Sequence, residues 1–354
     1  MLTHGGSVWP TDRHAQDAEK CPRNPRPYGR GCAALGVSRG IGRSLRRMKF
    51  EWKSLASLAG IVILAAIFTP TRIFLDPGNL TDILRQVAVT GIIALGMTYV
   101  ILTAGIDLSV GSTLALATSV VAMGVSRPDA DIARAIFVGV AASATVGAVN
   151  GACVALLRIQ PFVVTLATMI GIRGLAKWLT GNANIDIGFG QDTAARFAEM
   201  LRTKTVVIGA WAVLAVIFWV ILERSVFGRY VKALGDNETA ARYAGLPIRT
   251  VKIWVYTLAG ALAGVSGVLY AAQNHQGNPN AGIAYELDAI AAVVIGGTRL
   301  AGGSGSILGT IVGTLTIGVL TNMLRLNNVD SNVEMMLKAV IILLAVTVQR
   351  RDND

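Results

Sequence analysis

Apolar residues gather along this chain in ten blocks: 54–70, 87–102, 108–126, 133–157, 162–180, 206–222, 251–272, 287–297, 307–324 and 335–348. Most approach the roughly 20 residues that cross a bilayer as a helix, and none alternates with the period of a half-buried strand. The pattern predicts an all-α polytopic membrane protein with about ten transmembrane helices. The eighth block is short enough to be a partial span. The longest polar interruption, 224–252, falls between the sixth and seventh blocks.

Composition agrees: 53% of residues are hydrophobic and only 15% charged, too few charges to cover a soluble surface. The net charge of +11 is read by position rather than as a nucleic-acid footprint. With both termini in the cytoplasm, the inside segments collect about fifteen Lys and Arg residues against about nine outside. The interruption at 224–252 is then cytoplasmic. Cys21, Cys32, Cys153, His4, His14 and His275 are scattered, so neither a disulfide framework nor a metal site is expected.

Residues 1–47 are rich in Pro, Gly and Arg, show no helical period, and are expected to be disordered. They contain Gly36-Val-Ser-Arg-Gly-Ile-Gly42, a turn resembling the phosphate loop of short-chain dehydrogenases, but the strand and helix that make such a turn bind dinucleotide are missing. A natural start at Met48 fits better, with 48–354 as the transmembrane domain. The first apolar block lacks an Ala-x-Ala exit and reads as a retained span rather than a cleaved signal.

Polar residues at span ends carry the chemistry. Gly105-Ile-Asp-Leu-Ser-Val-Gly111 places Asp107 and Ser109 where the third span begins, so Asp107 either caps that helix or faces the transport path. Glu286 and Asp288 open the eighth span similarly. Spans 2–5 and 7–10 would then form an inverted repeat. Gly305, Gly309 and Gly313 lie four residues apart and predict close helix packing. Arg173 and Lys177 in the fifth span either snorkel, pair with a neighbouring helix, or meet a solute. Asn182, Gln273 and Asn322 are further polar candidates for the path, and Trp178, Trp211 and Trp254 read as interfacial anchors.

Within the polar interruption, Gly235 to Pro247 reads as one short helix. Asp236 or Asn237 caps it, Ala240, Ala241 and Ala244 give it a small-residue face, and Gly245 with Pro247 ends it. Such a helix suits a cleft on another protein; the alternative is a basic loop lying on anionic lipid.

Four segments in order, Gly105–Gly111, Pro161-Phe-Val-Val-Thr-Leu166, Gly228 through Gly245, and Glu286–Gly297 with Gly302-Gly-Ser-Gly-Ser306, resemble the permease subunits of ribose-type ABC importers. The resemblance runs from about Lys49 to the C-terminus. It implies a multi-pass protein of the bacterial inner membrane that works as one of two permease subunits, with cytoplasmic ATPases and an extracytoplasmic sugar-binding protein. It also implies that Gly235, Asp236, Asn237, Ala240, Ala241, Ala244 and Gly245 form the helix coupled to the ATPase. The acid usual before the two alanines is Thr239 here, with Glu238 one place earlier. The chain has no Gly-x-x-x-x-Gly-Lys-Ser/Thr sequence, so ATP and its Mg²⁺ belong to the partner, and no catalytic, cofactor or metal-ligating residue is expected in this chain. A related importer of nucleosides or branched amino acids, or an ion-coupled transporter, are the rival readings.

Overall fold

The computed structural model describes residues 55–340 apart from 70, 128, 189–191 and 331. The expectations for the N-terminal tail, the Met48 start and the last residues of the tenth block lie outside them. Each of the ten apolar blocks coincides with a helix: α1 (Leu55–Phe68), α3 (Pro77–Leu102), α4 (Val110–Val125), α5 (Ile132–Leu156), α6 (Pro161–Leu179), α8 (Lys204–Arg224), α11 (Ile248–Asn274), α12 (Tyr285–Ile295), α13 (Ile307–Leu326) and α14 over 332–340. The connections hold the short helices α2 (Thr71–Phe74), α7 (Thr193–Leu201), α9 (Val226–Asp236) and α10 (Glu238–Tyr243). Six helices, α3, α5, α6, α8, α11 and α13, are long and apolar enough to cross a membrane.

Burial sorts those six into an inner and an outer set. Their most apolar windows are 78% buried in α3 and 61% in α11 and α13, but only 28% in α5 and α8 and 17% in α6. Lipid is as apolar as leucine, so an outer helix keeps apolar residues on every face. Where an outer helix meets an inner one, it does so through small residues. On α5 and α11, glycines bring the backbones into contact: a methyl group at Gly151 would lie 2.7 Å from Ile253 Cα, one at Gly264 2.8 Å from Ser143 Cβ, and one at Gly260 3.0 Å from Gly147 Cα.

The chain repeats one order of elements. A long helix of 26 residues, α3, is followed by the 16-residue α4 and the 25-residue α5; a long helix of 27 residues, α11, is followed by the 11-residue α12 and the 20-residue α13. At 1.5 Å per residue, α12 is only about 16 Å long. Each short helix packs on the long helix of the other unit, α4 on α11 and α12 on α3. Their starts meet inside the bundle, where Gly111 of α4 faces Gly282 and Glu286 at the head of α12. They then run in opposite directions: α4 ends beside the start of α5, through Gly124 and Ala135, and α12 ends beside the start of α13, through Gly296 and Gly309.

The expected packing role of Gly305, Gly309 and Gly313 holds, since they lie against Thr298, Gly296 and Ala292 at the α12–α13 seam. Trp211 is a correction. It is 6% exposed, with its indole filling the space left by Gly91 on α3, so it is a core side chain rather than an interfacial anchor. Trp178 and Trp254 are exposed, as anchors require.

A two-residue ladder, β1 (Ile185–Asp186) on β2 (Gln276–Gly277), ties the α6–α7 connection to the end of α11. The first ten residues of α3 are polar enough to escape a hydropathy reading, yet Asp76 caps them by accepting from the Gly78 N–H at 2.8 Å, with Pro77 at the first helical position.

The glycine seam makes a contrast that can be measured. Gly260→Leu is expected to cost at least the roughly 1–3 kcal/mol typical of overpacking and to abolish a monodisperse peak in detergent. Gly209→Leu on α8, where a side chain would meet open space, is expected to elute and melt as the wild type does.

Candidate functional site

The polar interruption folds as two helices rather than one. Ser225 caps α9 by accepting from the Gly228 N–H at 3.0 Å, and α9 runs to Asp236, so Gly235 and Asp236 close α9 instead of opening the next helix. Asn237 stands alone between the two in an extended conformation, and its Oδ1 accepts from the Ala240 N–H at 2.9 Å. Of the two caps the sequence offered, Asn237 is the one used.

The end of α10 is as well defined as its start. Gly245 adopts φ +77°, the Leu246 N–H donates to the Ala241 carbonyl at 3.1 Å, and the Gly245 N–H donates to the Arg242 carbonyl at 3.0 Å. That pair of bonds is a Schellman motif, and it is why a glycine stands at 245. Leu246 completes it by packing with Leu234, Ala241 and Ile248.

This packing divides the small-residue face. Ala241 is 5% exposed and points inward, whereas Ala240, Ala244 and Gly245 are exposed and Tyr243 is 88% exposed. The exposed surface of α10 is therefore Ala240, Tyr243, Ala244 and Gly245; Ala241 holds the helix down instead. Glu238 does the same from the other side, accepting from Lys252 Nζ at 2.8 Å and pairing with Arg242 at 3.2 Å. The carboxylate displaced by one position is thus the link between α10 and the second turn of α11.

A segment not connected to this surface by sequence reasoning belongs to it. The loop 299–305 between α12 and α13 turns through Gly302 and Gly303, at φ +89° and +76°, and the Gly303 N–H donates to the Leu102 carbonyl at the end of α3 at 3.0 Å. Gly235 lies against both Leu102 and Gly303, with no room for a side chain, and Asp236 lies against Gly303. The ends of α3, α9 and the glycine-rich loop form one continuous patch. The signal was present as Gly302-Gly-Ser-Gly-Ser306, a run too polar and flexible to belong to the span that follows.

The five path residues proposed from sequence do not converge. Asp107 and Ser109 adjoin: Asp107 accepts from the Ser109 N–H at 2.9 Å and from the Ser109 hydroxyl at 2.6 Å. Asn150 of α5 donates to that hydroxyl at 2.9 Å and accepts from Thr168 of α6 at 2.7 Å. Asp107, only 1% exposed, therefore organises the turn before α4 rather than capping the helix N–H groups themselves. Although it opens an apolar block, it is not at the surface: α4 begins inside the bundle.

Asn322 forms a reciprocal amide pair with Asn79, at 2.9 and 3.3 Å, joining α13 to the start of α3. Asn182 is exposed and holds a left-handed turn at φ +63° behind α6. Gln273 is partly buried near the end of α11, with no hydrogen-bond partner for its amide nitrogen. Arg173 reaches across from α6 to the carbonyl oxygens of Pro279 and Ala281, at 3.0 and 2.5 Å, so it pairs between elements and does not snorkel. Asp288 is tied to Lys338 at 3.1 Å, and Lys338 in turn to Glu334 at 2.9 Å, which fastens α14 to α12.

The α10 clamp carries a pH dependence. The hydrogen bond from Lys252 holds the Glu238 carboxyl below the ordinary glutamate range, against a smaller opposing push from burial, with Arg242 helping. A depressed carboxyl stabilises the folded clamp above its unfolded pKa and loses that contribution as pH falls through the folded one. Amide exchange in α10 is expected to stay slow from neutral pH down past the ordinary glutamate value and to accelerate below it. Glu238→Ala is expected to exchange fast throughout, with α5 and α11 amides unchanged.

Comparisons with known proteins agree with this architecture. The family model described as the permease component of branched-chain amino acid transport systems matches residues 79–346. The chain is 42% identical over 305 residues to the ribose import permease protein RbsC of Escherichia coli K12, covering 85% of this chain and 94% of that protein. It is 43% identical over 295 residues to RbsC of Bacillus subtilis, covering 83% and 90%, and 33% identical over 301 residues to the D-allose transport system permease protein AlsC of Escherichia coli, covering 84% and 92%. No solved structure matches. With the family model covering most of the bundle and these relatives aligned nearly end to end, the chain belongs to this family of transport-system permease components.

Proposed function

We propose that this chain is the transmembrane subunit of an ATP-driven importer that admits a monosaccharide, ribose or a close relative of it, through the bacterial inner membrane. The observation that carries this reading is the 42% identity to a ribose import permease along 85% of the chain. Relatives named for allose, fructose and galactofuranose match at 33–34%, so sugar transport is common to them and the individual sugar is not.

In this reading α10 and the glycine-rich patch face the cytoplasm, as do both termini. ATP and Mg²⁺ are held by a partner ATPase, whose surface receives Ala240, Tyr243, Ala244 and Gly245. An extracytoplasmic sugar-binding protein docks on the opposite face, and a second permease subunit, a copy of this chain, completes the pathway. Nucleotide binding closes the ATPase pair, and α10 passes that closure to α11 through Glu238 and Lys252. A ligand shifts a conformational equilibrium only by its differential affinity for the two states, so the ATPase acts by fitting one arrangement of the α10 patch better than the other.

Proteoliposomes carrying the chain with its ATPase and binding protein are expected to take up labelled ribose only when ATP is supplied. Uptake driven by an ion gradient without ATP, or uptake of branched amino acids but no sugar, overturns the reading. Ala244→Trp is expected to lower ATPase co-purification and uptake roughly tenfold or more, the scale of a central interface contact, with detergent elution unchanged. Ala241→Trp is expected to loosen α10 itself, visible as faster amide exchange in the absence of any partner.

A further inference from the structure

A groove of about 640 Å³ opens beside α10, between the α5–α6 connection and the start of α11. Four cationic side chains line it, Arg158, Arg242, Arg249 and Lys252, against the single carboxylate of Glu238. That carboxylate is already engaged by Lys252 and Arg242. Arg158 and Arg249 are exposed and make no hydrogen bond or ion pair with another described residue. Arg158 is also held at φ +57°, in the left-handed region that a side chain enters at a cost.

The backbone adds to the positive field. Two long helices begin at the groove wall, the 19-residue α6 at Gln160–Pro161 and the 27-residue α11 at Pro247–Ile248. Neither has a side-chain cap. Pro161 has no N–H, and the N–H groups of Val163 and Ile248 donate to the Gln160 and Leu246 carbonyls, so what each helix start adds is the positive end of its dipole. Two such ends, two unpaired guanidinium groups and a spent carboxylate describe a site for a phosphate-bearing anion.

The surroundings select its source. The groove lies at one end of the bundle, between the turn that joins two helices long enough to cross a membrane and the start of a third. Beside it Leu156, Leu157, Ile159, Phe162 and Val163 are exposed apolar side chains on the ends of α5 and α6. A soluble protein partner would leave those side chains uncovered, whereas a lipid covers them with its own chains.

We propose that the groove binds the phosphate headgroup of an anionic phospholipid, with the acyl chains lying along the exposed ends of α5 and α6. One headgroup then contacts Arg158 of the α5–α6 turn, Arg242 of α10 and Arg249 of α11, adding a link among elements already joined at this end by Gly151 against Ile253 and by the Glu238–Lys252 pair. The site stands on the membrane reading alone; the orientation proposed above decides only that its leaflet is the inner one.

The test uses the full-length chain in nanodiscs of mixed phosphatidylglycerol and phosphatidylcholine, with retained lipid counted by native mass spectrometry after transfer to detergent. No ATPase or sugar is present, so its outcome is separate from that of the transport assay. The wild type is expected to retain phosphatidylglycerol in preference to phosphatidylcholine. Arg158→Gln with Arg249→Gln is expected to lower that retention roughly fivefold for each guanidinium lost, while Arg158→Lys keeps most of it and Arg196→Gln, outside the groove, keeps all. Thermal melting reports folding, and the single Arg158→Gln variant supplies the readout if the double variant does not fold. Equal retention by wild type and variant, or no preference between the two lipids, overturns the proposal. Displacement by soluble glycerol phosphate makes it a site for free phosphate, and unchanged lipid retention with lost ATPase co-purification assigns the groove to the protein partner; both overturn it as well.

Discussion

The contact on which the rest of the bundle depends is the seam between α5 and α11, where Gly147, Gly151, Gly260 and Gly264 let two backbones touch. In a membrane no hydrophobic force pulls one helix onto another, so close van der Waals packing has to hold helices together. That packing is short-ranged and fails with a single inserted side chain. Because α11 also packs on α3 and α4, the seam sets where four helices stand relative to one another.

The seam also permits the least usual feature of the fold, two short helices that begin inside the bundle. A chain end at membrane depth leaves N–H and carbonyl groups without water, which is tolerated only where protein surrounds them. The start of α4 meets this requirement with side chains: Asp107, Ser109, Asn150 and Thr168 bond in sequence, linking the turn to α5 and α6. The start of α12 is approached through the left-handed Gly282 and Ala284, and Arg173 reaches in from α6 to bond carbonyls of the segment just before it. A buried carboxylate such as Asp107 is costly without partners and structurally informative with them.

Much of this was legible in the sequence, for a physical reason: a bilayer demands apolar, fully hydrogen-bonded segments, so each of the ten apolar blocks coincides with a helix, six of them long enough to cross. What was not legible depended on depth. Asp107 and Glu286 stand at the starts of apolar blocks, and a one-dimensional reading places such starts at the membrane boundary. Only the packing of α4 against α11 and of α12 against α3 shows that these starts are internal. Trp211 was misplaced for the same reason, since nothing local says that a tryptophan in the first half of α8 faces a glycine on α3. The α10 region was read correctly in kind and incorrectly in detail. Its cap and its glycine stop are local signals, whereas the inward turn of Ala241 depends on Leu234 and Ile248, which belong to neighbouring helices.

These observations join the exposed end of the molecule to its centre through contacts already described. A displacement of α10 enters α11 through Glu238 and Lys252 and through Ala241 against Ile248. Helix α11 carries it as a 27-residue rod to the glycine seam, and α5 across that seam holds Asn150, which holds Ser109 at the head of α4. Close-packed interiors transmit small shifts rather than absorbing them. A surface at one end of the bundle is therefore mechanically continuous with the polar turn at its middle, although no single residue touches both. Spatial continuity alone does not make a switch: an equilibrium moves only when something binds its two states unequally. The hydrogen-bonded chain from Asp107 through Ser109 and Asn150 to Thr168 gives the centre one arrangement that must be broken for another to form.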